Sequence, residues 1–243
     1  NGSMSLIDNP GAIALVGGDE FGSRCESMDR ELLGLRPSAL PAVAVVPTAA
    51  AGQRPELTAT NGTRYFESLG AEARGVMAID EESGNDEDVL RPLTSSGLIY
   101  FAGGSPSHLL HVLRSTKLWK IVRSEWAAGA ALAGSSAGAM ALGGWMFAPG
   151  DPPLWVQTIG AVANVGVLPH YERWGNERRD RAVATRPSGI TLLGVPGAGG
   201  VVFERGAAEG RVIGDLAVTV IDPSGKANMV ESGKRFPVAS LRR

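Results

Sequence analysis

The chain has 243 residues, a formal net charge of −2 at neutral pH, one cysteine and three histidines. That length suits one large α/β domain with a sizeable core, and the near-neutral balance argues against nucleic acid or an acidic membrane surface as a partner. A lone cysteine, Cys25, excludes an intrachain disulfide and fits a reducing, cytoplasmic setting, while no apolar stretch approaches the length of a bilayer crossing.

Asn1-Gly2-Ser3 ahead of Met4 reads as an expression scar, and no secretory signal is visible, so residues 4–243 are expected to form a single domain. Ala12 to Val16 is a short buried strand ending in Gly17-Gly18. Ala42 to Val46 is the next, closed by Pro47, and a helix is expected around Glu56 to Leu69. Ala73 to Ile79 reads as a third strand and Gly97 to Phe101 as a fourth. Ser105-Pro106 then starts a helix, because serine caps and proline suits the first turn. The apolar run Ala127 to Ala133 predicts a fifth strand. Strands separated by helices imply a mostly parallel sheet with helices on both faces, whose sites lie at the carboxyl ends of the strands. The tail carries short β-like runs, Thr191 to Val195, Gly200 to Phe203, Arg211 to Ile213 and Ala217 to Ile221, expected as hairpins finishing one edge of the sheet.

Between the fifth strand and the next helix stands Gly134-Ser135-Ser136-Ala137-Gly138, a G-x-S-x-G nucleophile elbow with Ser136 in the reactive register. A serine nucleophile needs a base, an orienting acid and an oxyanion hole. His108 and His111, three apart on one helix, read as surface or packing residues, and no metal-ligand spacing accompanies them. His170 follows an apolar run within Pro169-His170-Tyr171 and is the candidate base. Asp151, stiffened by Pro152-Pro153, is the candidate acid, with a plain turn aspartate as the other reading and Glu172 as its rival. The N–H of Ala137, with that of Gly103 or Gly104, supplies the candidate oxyanion hole; such donors are worth roughly 3–4 kcal/mol each. No cofactor or metal is called for.

These blocks resemble the cyanophycinase and peptidase E family of serine peptidases. The residues that carry the resemblance are Gly103-Gly104 with Leu109-Leu110, Gly134-x-Ser136-Ala137-Gly138-Ala139, and Pro169-His170-Tyr171. The resemblance runs from about Ala12 to Val220 and implies a class I glutamine amidotransferase-like, flavodoxin-like fold with serine in place of cysteine. It is closest to the peptidase E branch. Asp151-Pro152-Pro153, fifteen positions after Ser136, matches that branch, and Gly175 to Arg181 loosely matches its arginine-bearing run. It implies a Ser136–His170–Asp151 triad, Asp-X dipeptides as substrates, Arg178 or Arg181 as the partner of a substrate carboxylate, and a possible homodimer. The alternative role for both arginines is to hold their own helix to neighbouring acids.

Two departures stand out. Gly197 occupies the place of a carboxylate common in the family, and Pro106 or His108 that of a glutamine. Two alternatives therefore stay open: a cyanophycinase-like hydrolase of β-Asp-Arg bonds, and a family member that binds a small ligand without turnover. Gly17-Gly18-Asp19-Glu20-Phe21 spells a diguanylate cyclase signature, but in the wrong structural context, and is read as chance. A lipase-like hydrolase is disfavoured because His170 lies only thirty-four positions after Ser136.

Overall fold

Short runs of small and β-branched residues supply the first two strands of the chain. The structure, a computed structural model, describes residues 10–148, 150, 154–204 and 209–238. The elements run β1 (Ile13–Val16), α1 (Glu26–Gly34), β2 (Ala42–Val46), α2 (Pro55–Ser68), β3 (Glu72–Gly75), α3 (Glu87–Leu90), β4 (Ser96–Phe101), α4 (Pro106–Ser115), α5 (Leu118–Ala127) and β5 (Ala131–Ser135). Ser105 caps α4 by accepting the His108 N–H at 3.3 Å. Ala127 ends α5 instead of opening the fifth strand, and Gly129 turns the chain at φ +110°.

After the elbow come α6 (Ala137–Leu142), β6 (Gly143–Ala148), β7 (Leu154–Gln157), β8 (Val162–Pro169) and α7 (Asn176–Thr185). The chain closes with β9 (Thr191–Val195), β10 (Gly200–Phe203), β11 (Glu209–Ile213), β12 (Val218–Ile221), β13 (Ala227–Val230) and β14 (Arg235–Pro237).

The strands make two sheets. The first has the order β14-β11-β10-β1-β5-β4-β2-β3, with β1, β5, β4, β2 and β3 parallel to one another. The second has the order β13-β12-β9-β8-β6-β7, with β6, β8 and β9 parallel. The α/β class with a parallel core holds. The tail is distributed differently from the expectation of one finished edge. β10, β11 and β14 extend the first sheet antiparallel, whereas β9, β12 and β13 join the second. The chain crosses between sheets within residues 196–199, so β9 and β10, neighbours in sequence, serve different sheets.

Alternation along the strands explains the layering. In β1, Ile13 and Leu15 enter one apolar cluster while Ala14 and Val16 enter the opposite one; in β4, Ile99 and Phe101 oppose Leu98 and Tyr100. The first of these clusters also receives Val165 and Val167 of β8 and Leu193 and Val195 of β9, so the two sheets share a core. Each such large side chain contributes about 1.5–3 kcal/mol on burial. Among the described residues no helix is long and apolar enough to cross a membrane.

A carboxyl group lies inside this core. Asp29 of α1 is fully buried and accepts the Tyr65 O–H at 2.8 Å, while its other oxygen has no partner. Burial pushes its carboxyl up to about 7; the Tyr65 hydrogen bond opposes this and the Glu20 charge adds to it. An unfolded aspartate titrates near 3.9. Between about pH 4 and 7 the folded chain therefore holds a proton that the unfolded chain has released, and stability falls as pH rises through that window. Denaturant titrations from pH 4 to 8 should show a loss on the order of 3–4 kcal/mol in wild type. Asp29→Asn should flatten that slope. A slope kept in the variant would assign the dependence to another group.

Candidate active site

The elbow forms because two glycines allow it. A Cβ on Gly134 would overlap the Gly138 backbone, and one on Gly138 would overlap the Phe101 carbonyl. β5 and α6 therefore close on each other with Ser136 at the apex, at φ +48° and ψ −105°. That conformation is strained for a residue with a side chain, and such strain concentrates at functional sites. The Ser136 N–H donates to the Val16 carbonyl at 3.0 Å, and its own carbonyl accepts the Met140 N–H at 3.0 Å. The neighbouring hydroxyl behaves differently. Ser135 is fully buried and donates to Glu20 Oε2 at 2.6 Å.

His170 enters from the second sheet, at the end of β8, in the left-handed region (φ +48°, ψ +40°). Its N–H donates to the Gly17 carbonyl at 3.0 Å. Val16 and Gly17, consecutive at the carboxyl end of β1, thus anchor both Ser136 and His170. Gly18, at φ +142°, has no side chain because a Cβ there would overlap the imidazole ring.

The surroundings of His170 are charged. Its buried Nδ1 makes no hydrogen bond, and Asp19 Oδ1 lies 3.7 Å away. Arg173 Nη2 donates to both Asp19 oxygens, at 2.7 and 2.8 Å. Glu172 Oε2 accepts the Gly197 N–H at 3.0 Å, and its Oε1 faces Arg173 Nε at 3.2 Å. Asp151, the expected acid, lies outside the described residues. Asp19, His170 and Glu172 have ligand atoms within 4.8 Å of one another, the spacing a metal ion could use. The Arg173 guanidinium already compensates both carboxylates there.

The expected oxyanion donors are placed unequally. Ala137 opens α6, where a first-turn N–H has no intrahelical acceptor. Gly104 sits at φ +141°, packed so closely on the Ala49 carbonyl that a Cβ would overlap it. Gly103 lies beside Ser136, but its N–H donates to Glu20 Oε1 at 2.7 Å. Glu20 therefore ties the loop after β4 to the buried hydroxyl of the elbow.

A cavity of about 450 Å³ opens over these groups, lined by Ser136, His170, Met140, Phe147, Trp174 and Arg178 among others. The Arg178 guanidinium stacks 3.6 Å over the Trp174 ring, and partial burial lowers its pKa from the ordinary value. Arg181, three residues on, is not among the lining residues. His108 and His111 lie elsewhere: the first donates to the Ile79 carbonyl at 2.7 Å, the second pairs with Glu81 at 2.7 Å. Asp19 and Glu20 were not among the residues expected here. The available signal was two acids directly after a Gly-Gly pair at the carboxyl end of a strand.

The model of peptidase family S51 matches residues 13–194. Among solved structures, a peptidase from an acI-B1 Actinobacterium is 24% identical, with a TM-score of 0.82 over 95% of this chain and 98% of that one. A putative peptidase E protein from Listeria monocytogenes EGD-e is 19% identical, with a TM-score of 0.59 over 84% of this chain and 97% of that one. Both likenesses are of fold. No curated protein matches the chain.

Proposed function

The chain belongs to peptidase family S51, and from that premise we propose that it is a serine peptidase acting on short peptides, with Asp-X dipeptides as the preferred class. One observation carries the reading. Ser136, strained at the apex of the elbow, and His170 face the same cavity and are anchored on the consecutive carbonyls of Val16 and Gly17, where β1 ends.

In this mechanism Ser136 Oγ attacks the peptide carbonyl as His170 takes its proton. The carbonyl oxygen becomes an oxyanion received by the Ala137 N–H and a glycine N–H after β4. Collapse breaks the C–N bond, and His170 returns the proton to the leaving amine. A water, deprotonated by His170, then hydrolyses the acyl-enzyme and regenerates Ser136. Gly104 fits the second donor better than Gly103, whose N–H is engaged by Glu20. An acid is also needed to orient His170.

The cavity is the right size for a dipeptide, since ligand sites commonly enclose about 300–1,000 Å³. Arg178 is the cation that supports an acidic preference, because a closed site penalises an unpaired carboxylate. Arg178→Met should lower kcat/KM for Asp-Leu about 10–100-fold more than for Ala-Leu, the scale of one charge-assisted hydrogen bond. Arg181→Met should discriminate less. The measurement is a panel of Asp-X, β-Asp-X and unrelated dipeptides on wild type and both variants. An equal fall for both substrates would make Arg178 structural, and turnover confined to β-Asp-X would move the substrate class.

A further inference from the structure

A general base works only in the right tautomer. For Nε2 to accept the serine proton, the hydrogen of a neutral imidazole must sit on Nδ1, and an acceptor beside Nδ1 holds it there. Nδ1 of His170 is buried and makes no hydrogen bond. The carboxylate oxygen facing it is Asp19 Oδ1, at 3.7 Å. We propose that Asp19, on the loop after β1, is the positioning carboxylate of His170.

This assignment rests on the serine-peptidase reading, and several features of the loop support it independently. Asp19 adopts φ +57°, a left-handed conformation that aspartate tolerates better than most residues. The loop is pinned on both sides of it. The Ala198 N–H donates to the Gly18 carbonyl at 3.0 Å, and the Cys25 thiol donates to the Asp19 carbonyl at 3.1 Å. Phe21 drives its ring among Tyr65, Phe66 and Tyr100, with centroids 5.5–6.0 Å apart. Arg173 fixes the carboxylate itself through both oxygens. Two missing side chains make the space. A Cβ on Gly18 would overlap the His170 ring, and a Cβ on Gly197 would overlap Asp19 Oδ2. A side chain at Gly197 and Asp19 in its present place exclude each other.

Glu172 is worse placed for the role. One of its oxygens accepts the Gly197 N–H and the other meets Arg173 Nε. Asp19 needs to move only about 1 Å to bring 3.7 Å to hydrogen-bond length.

The test combines kinetics with a signature of the ring itself. Asp19→Asn keeps the shape and the tolerance of left-handed backbone but removes the charge. It should lower kcat by roughly 10²–10⁴-fold with KM little changed. It should also abolish the low-field proton resonance that a carboxylate-bound Nδ1–H gives in NMR, identified by its loss in His170→Ala. Gly197→Ala is the second variant. Its added methyl should displace Asp19 and reproduce both effects with the carboxylate still present, so it decides the question if Asp19→Asn fails to fold. Wild-type kcat and an unaltered resonance in a folded Asp19→Asn or Gly197→Ala would overturn the proposal. So would loss of the resonance in Asp151→Asn with its retention in Asp19→Asn. The resonance is read without substrate, and covalent labelling of Ser136 by a serine-directed phosphonate is scored separately. A failure of the peptidase reading is therefore distinguishable from a failure of Asp19.

Discussion

Ser136→Ala is expected to lower kcat on a dipeptide substrate by a factor on the order of 10⁴–10⁶ and to abolish labelling by a serine-directed phosphonate. Ser135→Ala should stay within about tenfold of wild type, the scale of one hydrogen bond at about 1.4 kcal/mol per decade. The contrast follows from geometry. Both hydroxyls belong to the same turn, but Ser135 is buried and donates to Glu20, whereas Ser136 lines the cavity. The variants conserve volume closely enough that folding can be checked by thermal denaturation. Equal, large losses in both folded variants would mean that the reactive register had been assigned to the wrong serine.

The second large effect concerns the base. His170→Ala should remove nearly all turnover, again by a factor on the order of 10⁴–10⁶, because the two groups act as a unit and their losses do not add. The double variant Ser136→Ala/His170→Ala should be little worse than either single variant. An active His170→Ala enzyme would require another base, and Glu172, two residues away, would be the first to examine.

How much of this could be read in advance depends on the kind of signal. β1, β2, β4, β9 and β10 coincide with apolar runs, because short strands buried on both faces leave a continuous mark in sequence. β5 was displaced because Ala127 and Ala128 are as apolar as a strand yet finish α5; small residues carry no period. The antiparallel pairing of β6 with β7 was not among the elements expected from the sequence. The second sheet was not legible at all. Nothing in the composition of β9 and β10 tells that one pairs with β8 and the other with β1. Partnership is a long-range property, and the local pattern of both strands is equally buried.

The site divides in the same way. Ser136 and His170 stand in motifs whose spacing has a mechanical meaning, and the structure brings them to one cavity. Asp19 and Glu20 sit in a loop without periodicity, inside a five-residue string read as a chance match. Their importance arises only in three dimensions, through Gly103, Ser135, Arg173 and the His170 ring.

The anchoring of Ser136 and His170 on Val16 and Gly17 has a consequence for how the two sheets can move. Nucleophile and base come from different sheets, so their separation would ordinarily accumulate every small error in packing between those layers. Here two adjacent peptide units serve as the gauge. A sliding or tilting of the second sheet that leaves both backbone bonds intact carries His170 along with the end of β1, and with it Ser136. The layers can therefore breathe at their outer edges, near β7 and β13 on one side and β3 on the other, while alignment of the reacting pair is conserved. Misalignment requires rupture of a bond at the carboxyl end of β1, in the middle of the first sheet, where the strand is buried.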